Sequence, residues 1–438
     1  MAKDKLTQYD STASNNTDVG GISVAEGMLP SGVNNAIREQ MSHLADFAAG
    51  TSGVDVLKLQ DDTDTNSIKL QAPSSVTADT TFTLPDGDGS ADQVLKTDGS
   101  GQLGWADRHA NPSLIINGAM QVAQRGTSFT ATGSYPVDRF SIGYGVTGGT
   151  FTVSQDTASP SDFTNSIKYL TGTAASAGSA EQAFIGTTFE GYSTSHLNFG
   201  TSDAKNITLS FWVRSSVTGT YCVAFINNAF DRSYIAEYSI SSADTWEYKT
   251  ITVSGDTSGT WAGAVNTRSM LIRFDLGSGS SFNTTAGSWQ AGNYRNTSSQ
   301  TNLVNSASAT WYITGVKLEV GSTATDFVHE SYGDELARCQ RYYMKPTARQ
   351  IQGVMENTTV AQAQIPFLTV MRAAPTVTRL INSNWGSTGG TLTNTAAYNF
   401  SASGKQGAVI ALAFTSSSSV GIPVTCDTDG ILELNAEL

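Results

Sequence analysis

The sequence predicts a mainly β protein: a helix near the N-terminus, a thin intertwined trimeric β-segment, a jelly-roll-like β-sandwich and a smaller C-terminal β-domain. Three observations lead there. The chain has 438 residues, roughly three times the most common domain size, so several units with separate cores are expected. Its composition is that of strands and turns: only 14% of residues are charged, Gly numbers 42 and Pro 10, and Ser and Thr dominate many stretches. Short runs of alternating apolar and polar residues recur with turn residues between them, and no long amphipathic helices separate them as a parallel α/β sheet would require.

The first 50 residues form one region. PSGVNNAIREQMSHLADFAAG has helical periodicity, with Ser31 placed to cap and Gly50 to terminate. Val33, Ile37, Met41 and Leu44 recur along one face, followed by Ala48. The stripe is narrow and its neighbours are polar loops, which predicts a helix that docks against another subunit or another protein.

Residues 51–108 change to VDVLKLQ, SIKLQA, TTFTLP and QVLKT, read as small strands. So few large apolar side chains would leave a monomer short of the burial needed to offset chain entropy. Three chains wrapped together would supply it and would also remove exposed sheet edges.

Residues 109–330 read as the sandwich. Its strands include SFTATG, FTVSQD, SIKYLTG, NITLSFWVRS, YCVAFIN, EYKTITVSG, SMLIRFDL and ATWYITGVKLEV. Trp212, Trp246, Trp261, Trp289 and Trp311 lie here and are expected mostly in its core. Residues 331–438 begin with the helix SYGDELARCQRYYMK, where Ser331 and Asp334 stand at capping spacing and Arg341 and Lys345 near the far end complement the dipole. The strands QIQGVM, VAQAQIPF, PTVTRLIN, GAVIALAFT and GILELNAEL follow.

Charge and cysteines narrow the function. Against 38 acidic residues stand 25 basic ones, and the net charge of -13 repels phosphate backbones, so no nucleic-acid partner is expected. Cys222, Cys339 and Cys426 are far apart and read as buried small hydrophobes. No signal-peptide pattern and no long apolar run stands out, so neither secretory export nor membrane insertion is expected.

Four patterns in one order resemble tail-fibre and tail-tip receptor-binding proteins of bacteriophages, particularly those of marine and cyanobacterial hosts. They are NTDVGGISVAEGMLPSGVNNAIREQM (Asn16 to Met41), DQVLKTDGSGQLGWAD (Asp92 to Asp107), NPSLIINGAMQVAQRGTSF with YPVDRFS (Asn111 to Ser141), and ITGVKLEVGSTATDFVHESYGDELARCQRYY (Ile313 to Tyr343) with PFLTVMRAAPTVT (Pro366 to Thr378). The resemblance implies a homotrimeric virion protein, made in the host cytoplasm and attached through its N-terminus to tail proteins such as tube, adaptor or nozzle. It also implies a carbohydrate-binding-like sandwich and recognition of a host-surface polysaccharide or lipopolysaccharide by the distal half. The alternative is a structural tail-tip or adaptor protein without glycan binding. A cellular lectin would carry a secretion signal and no docking helix.

An enzyme is not expected. His43, His109, His196 and His329 show no metal-ligand spacing and read as surface residues, and no G-x-S-x-G elbow occurs. No short coil repeat of a β-helix depolymerase is found. Acid pairs remain open to glycosidase chemistry: Asp156 with Asp162, Glu181 with Glu190, Asp231 with Glu237. DDTDTN at Asp61 to Asn66 and DGDGSAD at Asp86 to Asp92 lack the distal Glu of an EF-hand and read as turns, so no metal and no cofactor are expected.

Candidate glycan contacts are polar and aromatic residues in predicted loops. FINNAFDRSYIAEY contributes Asn228, Asp231, Arg232 and Tyr234, with Asn227 beside them. SWQAGNYRNTSSQ contributes Trp289, Asn293, Tyr294 and Arg295. INSNWGSTGG contributes Trp385, with Asn384.

Overall fold

The computed structural model describes residues 15–19, 21–25, 27–48, 56–60, 67–71, 75, 81–89, 93–107, 112–347, 351–379, 383–387, 390–394, 398–401, 405–414, 419–426 and 432–438. Gly50, the Asp61 to Asn66 run, Asp92, His109 and Asn111 lie outside them. The chain divides into two compact units, Met1–Arg108 and His109–Leu438.

In the first unit a short hairpin, β1 (Asp18–Val19) and β2 (Ile22–Ser23), contacts helix α1 (Pro30–Ala48). Pro30 opens the helix, a position where its missing N–H costs nothing, so Ser31 lies inside the first turn and is not the cap. The predicted stripe is exposed in the single chain: Val33, Ile37, Met41 and Leu44 are 44 to 64% accessible. The buried face is the one carrying Ala36 and His43. His43 is therefore not a surface residue; its Nε2 lies 3.5 Å from Glu39 one turn earlier.

Two antiparallel pairs follow, β3 (Val56–Gln60) with β4 (Ser67–Gln71) and β5 (Gln93–Thr97) with β6 (Leu103–Asp107). Asp98 closes the second: its Oδ1 accepts the Ser100 and Gln102 N–H groups at 2.8 and 3.1 Å. Of TTFTLP, residues 81–85 do not form the expected strand and are held by one parallel bridge, Thr83 to Gln102. Phe82 and Leu84 are exposed, as are Val94, Leu95 and Trp105.

The second unit begins with the sandwich. Its strands are β7 (Ser128–Phe129), β8 (Phe140–Tyr144), β9 (Phe151–Asp156), β10 (Ser166–Thr171), β11 (Ala183–Glu190), β12 (Ile207–Ser215), β13 (Gly219–Asn227), β14 (Arg232–Ile240), β15 (Glu247–Val253), β16 (Arg268–Asp275), β17 (Trp289–Ala291) and β18 (Thr310–Val320), with a one-turn helix α2 (Gly191–Thr194) after β11. They form two six-stranded sheets, in order β15-β12-β18-β10-β9-β7 and β17-β14-β13-β16-β11-β8, with every strand pairing antiparallel. The predicted mainly β, jelly-roll-like class holds.

Period-two alternation builds the core. Leu209, Phe211 and Val213 of β12, Tyr221, Val223 and Phe225 of β13, and Ile272 and Phe274 of β16 share one apolar cluster between the sheets. Each large apolar side chain removed from water in this way contributes about 1.5–3 kcal/mol. Of the five tryptophans expected mostly in the core only Trp311 is fully buried, against Phe274; the other four are half-buried. SFTATG shrinks to the two residues of β7, whereas β8, β11 and β14 are full strands that the loop-like Gly, Asn and Asp around them had obscured.

Helix α3 (Tyr332–Gln340) is capped as expected, the Asp334 N–H donating to Ser331 Oγ at 3.2 Å. Beyond it come β19 (Tyr343–Met344), β20 (Gln352–Met355), β21 (Val360–Pro366), β22 (Thr376–Arg379), β23 (Ser383–Ser387), β24 (Gly390–Asn394), β25 (Tyr398–Ser401), β26 (Gly407–Ala413), β27 (Pro423–Cys426) and β28 (Leu432–Asn435). They make sheets β19-β28-β22 and β24-β23-β27-β20-β21-β26-β25 around a second apolar cluster that includes Met344, Ile365, Phe414 and Leu434.

Ion pairs fasten this region to the sandwich. Arg341 grips buried Glu190 with two bonds of 3.0 Å, and Tyr342 Oη donates to the same carboxylate at 3.1 Å. Near the chain end Glu437 is held by Arg139 and, at 3.3 Å, by Arg125. All three cysteines are buried and unbridged.

Candidate functional site

The contacts expected from the first predicted loop are mostly structural. Asn227 is buried and organises a tight turn: its Oδ1 accepts the Asp231 and Arg232 N–H groups, both at 3.1 Å, and its Nδ2 donates to Asp231 Oδ1 at 2.6 Å. Arg232 opens β14 and forks onto buried Asp256 at 2.8 and 2.5 Å. Exposed Asn228 accepts from Arg268 Nε at 2.6 Å. Tyr234 is no loop residue; it faces inward from β14 and is buried.

The second cluster behaves similarly. Trp289 lies on β17, its indole N–H donates to the Ser254 carbonyl at 2.7 Å, and its ring meets Trp261, Tyr234 and Phe199 at 5.4, 5.5 and 5.8 Å. Tyr294 packs on the small cluster of Cys222, Ala224, Ile226, Ile235 and Leu271. Asn293 is half-buried. Arg295 is buried beneath Phe282 and bonded to Gln182, so it is not the exposed loop contact expected. Trp385 is on strand β23, in register with Leu392 and Cys426, and not in a loop.

The structure instead assembles a site on the outer face of the sheet edged by β15. Along β12, Thr208, Ser210, Trp212 and Arg214 point away from the core. Trp212 pairs directly with Tyr248 of β15, and directly paired residues share a face; their rings are 5.3 Å apart and tilted by 48°. The opposite wall is Phe163, Phe327 and His329, mutually 4.9 to 5.1 Å apart. With Asp162 and Asp326 these residues line an open cleft of about 650 Å³. Trp212 makes no hydrogen bond through its indole N–H among the described residues, unlike Trp289.

A β-bulge and a buried ion pair shape the cleft. Ser210 is opposite Lys317 but Trp212 opposite Thr314, so β18 carries one extra residue there. The bulge contains Gly315 at φ +61°, where a Cβ would stand 2.6 Å from the Phe163 ring and 3.1 Å from that of Trp212. Glycine therefore lets both rings approach the strand. After the bulge Lys317 and Glu319 point outward, yet both are buried and 3.2 Å apart. What covers them is the segment around 325: Lys317 Nζ donates to the Asp326 carbonyl at 3.0 Å, and Glu319 accepts the Thr325 N–H and hydroxyl at 2.8 and 2.6 Å. That clamp delivers Phe327 and His329 to the wall. Thr314 Oγ1 donates to the Asn165 carbonyl at 2.7 Å and ties down the loop bearing Phe163.

A neighbouring row on the same face continues the surface. Trp246 stands 6.1 Å from Tyr312, with Arg214 over the Tyr312 ring at 5.2 Å and Lys168 at 5.6 Å. Two other cavities are less suited to an extended ligand. One of about 160 Å³ lies by Trp261 and Phe199, and one of about 390 Å³ lies between the sandwich and α3, beside the Arg341–Glu190 pair.

The candidate acid pairs take other parts. Asp156 lies 3.7 Å from Lys168, Glu181 accepts from Thr147 and from the Gly178 N–H, Glu190 is gripped by Arg341, and Asp231 closes its turn. Asp162 alone of these lines the cleft. His196 is exposed, its pKa lowered by partial burial and by Lys205. No cluster of metal-ligating side chains occurs among the described residues.

The sequence had one signal for the cleft. A tryptophan on the polar side of an alternating strand, TLSFWVRS, matches Tyr248 on the polar side of EYKTITV. Phe163, Phe327 and His329 carry no such signal, since loops bring them there.

No protein family and no curated protein matches the sequence. Among solved structures, the chain is similar to a putative sugar binding protein from Bacteroides thetaiotaomicron (TM-score 0.30, 13% identity, 48% of this chain and 100% of that one). It is also similar to the enzymatically active domain of tailspike protein 4 of bacteriophage CBA120 (0.27, 11%, 48% and 21%) and to a family 11 carbohydrate-binding module of Clostridium thermocellum (0.22, 14%, 44% and 95%). At such scores these likenesses carry no inference about function.

Proposed function

We propose that this chain is a glycan-binding protein of a bacteriophage tail, a homotrimeric fibre or tail-tip component attached through its N-terminal region, with the Trp212–Tyr248 cleft as the sugar site. The observation that carries the binding reading is the cleft itself: five rings and two carboxylates around about 650 Å³ of open space. Exposed Tyr248 and His329 and half-buried Trp212 and Phe327 offer ring surface to the C–H face of a sugar, backed by buried Phe163, while Asp162 and Asp326 are acceptors for its hydroxyls. The volume lies within the range of ligand pockets, roughly 300–1,000 Å³. The tail assignment rests on the sequence resemblance. The trimer is supported by the exposed stripe of α1 and by the exposed apolar residues of the segment around β5 and β6, which a lone chain leaves in water.

In this reading the acids bind and do not cleave. Affinity per cleft is weak and three copies raise it through effective concentration. The negative chain approaches an anionic envelope more easily when salt screens the repulsion.

The test is affinity electrophoresis and a glycan array with the full chain, alongside Trp212→Ala and Tyr248→Ala, with mass photometry for assembly. A trimer whose glycan retention is lost in both variants while both remain folded and trimeric is the expected result. Retention unaffected by both substitutions removes the cleft from the reading, a trimer that binds no envelope polysaccharide favours the structural adaptor, and a stable monomer overturns the fibre. Release of reducing ends from bound polysaccharide would show an enzyme.

A further inference from the structure

The opposite face of the sandwich, the outer face of the sheet containing β16 and β11, carries a different arrangement. Guanidinium groups and rings alternate there: Arg268 lies 4.8 Å from the Phe230 centroid, Arg273 lies 5.3 Å from Phe230 and 4.3 Å from Phe184, and Arg295 lies 5.4 Å from Phe184. The rings shield the cations from one another and their electron-rich faces hold them.

What the ladder lacks is an ion pair. None of the three arginines forms a salt bridge among the described residues. Arg268 gives its Nε to Asn228 and Arg295 an Nη to Gln182, both neutral acceptors. Arg273, in the middle, has no acceptor at all among those residues, and its Nη1 is buried without one, as is Arg295 Nε. Asp275, whose charge acts on both Arg273 and Arg295, bonds through Oδ1 to the Gly277 and Ser278 N–H groups at 2.9 and 2.8 Å and to Gln300; its Oδ2 is buried without a hydrogen-bond partner, and neither oxygen pairs with a guanidinium.

We propose that this ladder is an oxyanion site, centred on Arg273 and flanked by Arg268 and Arg295, that takes a sulfate or phosphate group. A tetrahedral oxyanion accepts from several guanidinium donors at once and would satisfy those left without partners. Burial, with repulsion from Arg295 and Arg268, pulls the Arg273 pKa down to about 9, a cost that a bound anion reverses. The site is independent of the aromatic cleft.

Retention on immobilised dextran sulfate, with unsubstituted dextran as control, tests it in the full chain. Because the net charge is -13, unspecific attraction to a polyanion is disfavoured and retention reports the local cluster. Retention on the sulfated matrix, reduced at least tenfold in Arg273→Gln and retained in Trp212→Ala, is expected. Inorganic phosphate added as competitor separates sources: displacement at millimolar levels identifies a site for the free ion as well, and resistance identifies a polymer-borne ester. Should Arg273→Gln fail to fold, Arg268→Gln, which loses one hydrogen bond of a half-exposed side chain, takes its place. No retention by the wild type, or equal retention by wild type and the glutamine variant, overturns the proposal.

Discussion

The sandwich contains two aromatic groupings of nearly the same composition used in opposite ways. Trp289, Trp261, Phe199 and Tyr234 meet edge to face, and their indole N–H groups are bonded inside the protein, Trp289 to Ser254 and Trp261 to Asp256 and Ser258. Trp212 and Tyr248 tilt against each other across an open space, with a second wall of Phe163, Phe327 and His329 facing them. Residue type does not separate a clasp from a binding surface. The difference lies in whether ring faces and polar edges are already engaged.

That contrast can be broken experimentally. The largest effect is expected in the clasp: Trp289→Ala should cost about 3–5 kcal/mol in urea unfolding of the second unit, since it removes a large ring from three aromatic neighbours. Arg232→Ala follows at about 3 kcal/mol, because Asp256, 1% accessible, loses its only ion pair among the described residues. Neither should alter glycan affinity per folded molecule; a selective loss of binding in either, with stability intact, would dissolve the distinction. Next comes Gly315→Ala, expected to cost about 1–2 kcal/mol through its left-handed backbone and to disturb the cleft as the new methyl displaces Phe163. Trp212→Ala should cost about 1 kcal/mol in stability, the value of its cross-strand pair with Tyr248, and weaken glycan binding at least tenfold, about 1.4 kcal/mol, read by isothermal titration.

The sandwich was legible because most of its strands alternate: Ile207 to Ser215 and Glu247 to Val253 show which side faces the core. The same alternation contained the cleft in outline, through Trp212 and Tyr248. Polar clusters between strands read as binding loops in the sequence, whereas Asn227 folds a turn, Arg232 closes a buried pair with Asp256 and Arg295 is buried against Gln182. A hydrogen-bonding side chain in a turn and one awaiting a ligand look alike until the partners are seen. The remaining cleft residues come from segments more than a hundred residues apart, Phe163 and Phe327, held by Thr314, Lys317 and Glu319. Those anchors sit on either side of an extra residue that periodicity cannot announce in advance.

That extra residue changes how the strand can evolve. Before the bulge in β18, Tyr312 and Thr314 face outward; after it, Lys317 and Glu319 do. Deleting Gly315 would restore plain alternation and leave Lys317 and Glu319 on the outer face, so the core does not require the extra residue; what would be lost is the side-chain-free seat that lets Phe163 and Trp212 close on the strand. Sequences that keep the cleft would therefore be expected to collect substitutions and small insertions in the loops bearing Phe163 and Phe327, and to hold β18 at constant length.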